Sequence, residues 1–174
     1  MPPLVADTRA PGARHDNSLP QWAVDKIARR RGRQHAFPTI EPHRTALVVI
    51  DLTQSFLENT PCAPSIVQPV NLLADALRHA GGTVAWVDPA PIEGTGSILN
   101  ALWGPERVSG LAAETKPGSP QNQPAAGLTR HAADVVVDKQ GYSAFFPGSC
   151  ALPEILQDRN IDTVLIAGVL TNIC

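Results

Sequence analysis

Three side chains capable of covalent chemistry stand just beyond apolar runs. Asp51 closes TALVVID, Lys139 follows VVVD, and Cys174 lies shortly after VLIAG. Taken singly each has an ordinary explanation: an aspartate at a strand end caps a helix, a lysine is solvated, a cysteine fills a small apolar space. Taken together they are a complete set for acyl transfer, with a thiol nucleophile, a carboxylate base and a cation. A free thiol has a pKa of about 8.5 and is only slightly ionised at neutral pH, so a neighbouring ammonium is expected to favour the thiolate.

For the three to meet, their runs must be parallel strands, because ligands of an open parallel sheet bind in the crevice beyond the strands' carboxyl ends. The chain reads that way. Thr45–Asp51 is a continuous apolar strand of the kind buried on both faces. Ile66–His79 places Val67, Val70, Leu73, Ala74 and Leu77 at helical spacing, and Gly81-Gly82 stops that helix. Strands are expected at Thr83–Val87, Asp134–Val137 and Thr163–Ala167, helices at Ser97–Trp103 and Leu152–Asn160, and a Pro/Gly-rich loop as far as Pro124. This alternation predicts a three-layer α/β/α sandwich with a mainly parallel sheet and right-handed crossovers. Residues 1–44 read as a partly irregular arm with a short helix near Gln21–Arg31, and 45–174 as the domain. A last strand without a helix to cover it leads us to expect that the chain continues past Cys174, which would then open the next helix and gain its dipole.

The 174 residues are 43% hydrophobic and 17% charged, too apolar for a disordered chain, and no run is long enough to span a membrane. Net charge is −2, with +4 in residues 1–44 and −6 in 45–174, which offers no global field for nucleic acid. Arg29, Arg30, Arg31 and Arg33 read as a solvated arm that packs on a partner subunit. Three cysteines, and an N-terminus without the apolar core of a signal peptide, point to a reducing, cytoplasmic setting. No P-loop or complete G-x-G-x-x-G occurs, Gly94-Thr95-Gly96 lacking its last glycine, and the five histidines have no ligand-like spacing. Neither cofactor nor metal is expected.

TALVVIDLTQSF (Thr45–Phe56), VVVDKQGYSAF (Val135–Phe145) and VLIAGVLTNIC (Val164–Cys174) resemble, in family order, three signature segments of isochorismatase-like cysteine hydrolases. The resemblance spans Thr45 to Cys174. It implies a six-stranded parallel sheet and homodimers or homotetramers acting on a small-molecule substrate. Cys174 would then attack a carbonyl carbon, Asp51 would carry the proton to the leaving amine, and Lys139 would hold the carboxylate and favour the thiolate. The backbone amides of Leu170 and Cys174 would receive the oxyanion, and the Val169–Leu170 peptide would be cis, with Gly168 easing the turn.

Gln54, Phe56, Trp103, Tyr142 and Phe145 are candidates for the substrate pocket, with core packing or, for Gln54, helix capping as the alternatives. ILNALWGPE (Ile98–Glu106) resembles a segment of true isochorismatases, which cleave a vinyl ether but generally lack a cysteine at the position of Cys174. Nicotinamidases carry an Asp/His metal site, whereas here Asp88 is followed by no histidine before His131. The closest generic description is an amidohydrolase of ureidoacrylate or N-carbamoyl type, cleaving an amide or carbamoyl C–N bond. The alternatives are an ether hydrolase using Asp51 and Lys139 alone, a non-catalytic scaffold, and a redox sensor at Cys174.

Overall fold

The run TALVVI forms β1 (Thr45–Ile50), whose six residues are all buried. In the computed structural model, which describes residues 18–92, 98–170 and 173–174, it is an inner strand of a four-stranded sheet. The others are β2 (Thr83–Pro89), β3 (Val135–Lys139) and β4 (Thr163–Gly168), in the order β3-β2-β1-β4 with every pairing parallel. Register aligns Ile50 with Val87 and with Gly168, and Pro89 with Lys139, so the carboxyl ends share one rim.

Strand alternation divides the core between two faces. On the first, Leu47, Val49, Val84 and Trp86 pack with Val70, Ala74 and Leu77 of α3 (Pro64–His79). On the second, Ala46, Val48, Ile50, Ala85, Val87 and Val135 pack with Leu152 and Leu156 of α6 (Leu152–Asp158). Helices on both faces give the expected three-layer sandwich. α3 begins two residues before the expected start, with Pro64 in its first turn, where a missing N–H costs nothing. Its stop is as expected: Gly81 takes φ +83° and Gly82 N–H donates to Leu77 O.

Two helices lie where none was expected. α2 (Gln54–Asn59) is a turn and a half, too short for a periodic signal. α5 (Pro105–Glu114) follows α4 (Ile98–Trp103) inside the stretch read as loop. Gly104, Pro105 and Gly110 gave that stretch its loop-like composition, yet Pro105 starts the helix and Val108 anchors it to the core. α1 (Gln21–Arg31) forms as expected and buries none of its residues. Gly94-Thr95-Gly96, Ser97 and residues 1–17 lie outside the described residues. On β4, Val164 and Ile166 remain 40% and 63% exposed, so that strand's second face is open.

Candidate active site

Asp51 follows β1 in a left-handed conformation (φ +56°), which an aspartate tolerates better than most residues. Its N–H donates to Val87 O at 2.9 Å, carrying the β1–β2 ladder one residue onward. The side chain, 1% exposed, faces Lys139 at Oδ2···Nζ 3.0 Å. Lys139 is brought there by alternation on β3: it shares the second sheet face with Val135 and Val137, and its side chain is 5% exposed. Its Nζ also donates to Gly141 O at 2.9 Å. The ammonium is thereby held between a carboxylate and a carbonyl, away from water.

Cys174 packs against the core of that same face and is partly buried. Its thiol pKa is pushed up to about 12, chiefly by burial, then by Asp51 as acceptor and as negative charge, with Lys139 pulling weakly the other way. Lys139 acts in the expected direction, towards the thiolate, but burial and Asp51 outweigh it. A carboxylate beside a thiol disfavours a second negative charge. Besides the Lys139 ammonium and the Cys174 thiol, neither Asp51 oxygen meets a further donor among the described residues, so the carboxylate keeps accepting capacity.

The turn between β4 and Cys174 differs from expectation in detail. The Val169–Leu170 peptide is trans, and Leu170 makes the turn through φ +57°. Leu170 O accepts from Ile173 N at 2.8 Å and from Cys174 N at 3.1 Å, so the Cys174 amide is occupied by the turn itself. Gly168 is indispensable to this route. At φ +134°, a Cβ there would fall 2.1 Å from Ile50 O.

The pocket candidates separate. Trp103, at the end of α4, donates its indole N–H to the Tyr142 hydroxyl, so two of them meet from distant segments. Phe56 packs on the first core face with Leu57 and Ile66, because the unexpected α2 turns it inward. Gln54 is consumed at both ends of its amide: Nε2 donates to Glu58 at 2.8 Å and Oε1 accepts from Ala126 N at 3.2 Å. Phe145 lines an open groove with Arg44, Leu156 and Val164, because the loop after β3 doubles back, Gln140 N–H donating to Ser149 O at 2.9 Å.

Arg130 went unnoticed in the sequence, where nothing marks its loop. It pairs with Asp88 through two contacts of 2.7 Å and lies 4.9 Å over the Trp86 ring. The acidic group ending β2 is therefore already neutralised. Gly141 also escaped notice, since it acts through its carbonyl and no side chain announces it.

Comparison with known proteins agrees with the fold. Residues 45–174 match the model of the isochorismatase domain. The ureidoacrylate amidohydrolase RutB of Cronobacter sakazakii is 27% identical over 158 residues, covering 78% of this chain and 67% of that protein. A cysteine hydrolase from Pseudomonas syringae pv. phaseolicola superposes with a TM-score of 0.65 at 30% identity, over 80% of this chain and 68% of the other. An N-carbamoylsarcosine amidase from Thermoplasma acidophilum gives a TM-score of 0.61 at 26% identity, over 75% and 70%. The chain thus spans about two thirds of the length of each of these relatives. With the family's domain matched across three quarters of its residues, and the fold in agreement, this chain belongs to the isochorismatase family of hydrolases.

Proposed function

We propose that the chain hydrolyses a C–N bond of a small amide or carbamoyl compound, with Cys174 as nucleophile. The observation that carries this reading is the buried Asp51–Lys139 pair at 3.0 Å, lying against the thiol that it perturbs. Asp51 takes the thiol proton as sulfur bonds to the carbonyl carbon, so negative charge forms on the carbonyl oxygen rather than resting on sulfur. Collapse of that intermediate breaks the C–N bond, and Asp51 passes its proton to the departing nitrogen. Water then attacks the thioester carbon, giving its proton to Asp51; the C–S bond breaks to release the acid, and Asp51 returns the proton to sulfur, restoring the thiol. Lys139 keeps the carboxylate in place between steps. The Leu170 N–H, which has no acceptor among the described residues, is one donor for the oxyanion, and the Cys174 N–H becomes a second once it leaves Leu170 O.

The relatives with amidohydrolase and amidase names support a C–N bond over a vinyl ether, as does the cysteine itself. The test is ammonia release from a panel of amides, ureido acids and N-carbamoyl amino acids. Cys174→Ala is expected to lower turnover by about 10⁴-fold or more, and acyl mass is expected on Cys174 of the wild type during turnover. Full activity in Cys174→Ala with none in Asp51→Asn would instead mean ether cleavage without the thiol. Indifference to both would leave only a scaffold.

A further inference from the structure

The bond between Trp103 and Tyr142 has a fixed direction. An indole N–H only donates, so the phenol oxygen is the acceptor and the phenol's own hydrogen must be directed elsewhere. Among the described residues Tyr142 has no second partner, and it is 37% exposed. Its place is at the reactive rim: it stands one residue beyond Gly141, whose carbonyl holds Lys139, and Trp103 follows the carboxyl end of β2. Tyr142 also lines a cavity of about 400 Å³, mostly apolar in its lining, with Gly141, Ser143, Phe146, Pro147 and Ser149. The cations at the rim, Lys139 and Arg130, are committed to Asp51 and Asp88. Among the described residues lining this cavity, the Tyr142 hydroxyl and the Ser149 hydroxyl keep hydrogen-bonding capacity, and the Tyr142 O–H is the one whose direction is set, by Trp103.

We infer that Tyr142 is a specificity-determining residue whose O–H, aimed by Trp103, donates to an acceptor oxygen that the substrate carries beyond its scissile C–N bond, the intervening carbon atoms resting in the apolar cavity. The oxygen belongs to a carboxylate or a carbonyl. The inference rests on the C–N hydrolase reading, and its test can be separated from turnover. In a Cys174→Ala background, binding of N-carbamoylglycine, N-carbamoylglycinamide and propylurea is measured by calorimetry. Adding Tyr142→Phe is expected to weaken the first two by about five- to tenfold, the loss of one hydrogen bond, and to leave propylurea unchanged. The larger loss between acid and amide identifies the oxygen. Trp103→Phe is expected to weaken the same two, since an unaimed hydroxyl gives up part of its advantage.

Equal weakening of all three compounds would mean a structural role, and equal affinity with and without the hydroxyl would remove the role altogether; either overturns the inference, as does failure of both oxygen-bearing compounds to bind. Selective weakening, together with a wild type that releases no ammonia from any compound, would preserve the subsite and discard the hydrolase reading.

Discussion

At the scale of single residues, the governing fact is that the nucleophile candidate is poorly ionised at rest. Burial and Asp51 together hold the Cys174 thiol at about 12, so at pH 8 it is almost wholly protonated. Alkylation of Cys174 by iodoacetamide at pH 8 is therefore expected to run at least about 100-fold slower than that of an ordinary cysteine with a pKa of about 8.5. The sign for Asp51→Asn follows. Removing the negative charge lowers the thiol pKa, and freeing the Lys139 ammonium lowers it further, so alkylation should accelerate while turnover disappears. Peptide mapping by mass spectrometry reads Cys174 apart from Cys62 and Cys150. Slower alkylation in the variant would mean that Asp51 does not face the thiol. The sequence placed Asp51, Lys139 and Cys174 at strand ends, but the direction of the thiol shift depends on which of two opposite charges stands closer and how much water is excluded. Neither is a property of spacing.

At the scale of elements, the approach of β4 to β1 decides whether the loop bearing Cys174 can cross above Asp51. The two strands pair through Ile50 and Gly168, and Gly168 leaves that pairing at φ +134° with Ile50 O where a side chain would be. Gly168→Ala adds a clash to a strained dihedral and is expected to cost about 3 kcal/mol or more. If the protein still folds, Cys174 should be displaced from Asp51, and its alkylation should return towards that of an ordinary thiol. Wild-type stability and an unchanged alkylation rate would show that the close approach is unimportant. The glycine itself was noticeable in the sequence as a turn residue. That it is pinned by a carbonyl more than a hundred residues away could not be read there. The same holds for α2 and α5, whose formation depends on what they pack against and hardly at all on local periodicity.

At the scale of the whole molecule, one buried hub ties α3, β2 and the segment leading into β3. Asp134, its side chain 3% exposed, receives two contacts from Arg78 at 2.9 and 2.6 Å, the Trp86 indole N–H at 2.8 Å and the His131 backbone N–H at 2.9 Å. Burial opposes its ionisation, but Arg78, His131 and Trp86 outweigh that and hold its pKa below the ordinary 3.8. Because the folded pKa is the lower one, the stabilisation is complete above the unfolded value and is lost as pH falls through the folded value. Asp134→Asn, which leaves the Arg78 guanidinium without its main partner, is expected to cost about 3 kcal/mol at pH 7, and the gap to wild type should narrow below pH 3.8. Urea unfolding at pH 7 and pH 3 measures both; the same gap at the two pH values would show that the pair does not drive acid sensitivity. In sequence this aspartate was merely the first residue of an expected strand.

The sequence by itself determined the layer architecture, the strands and the three reactive groups at their ends, because apolar runs of strand length and helical spacings are local and the rim of a parallel sheet follows from them. Only the tertiary structure decided that Phe56, Gln54 and Phe145 serve the core, a loop and a distant groove, that Trp103 aims Tyr142, and that Cys174 is held as a thiol. Those outcomes depend on distances, exclusion of water and hydrogen-bond direction between segments far apart in the chain, and no short stretch of residues encodes them alone.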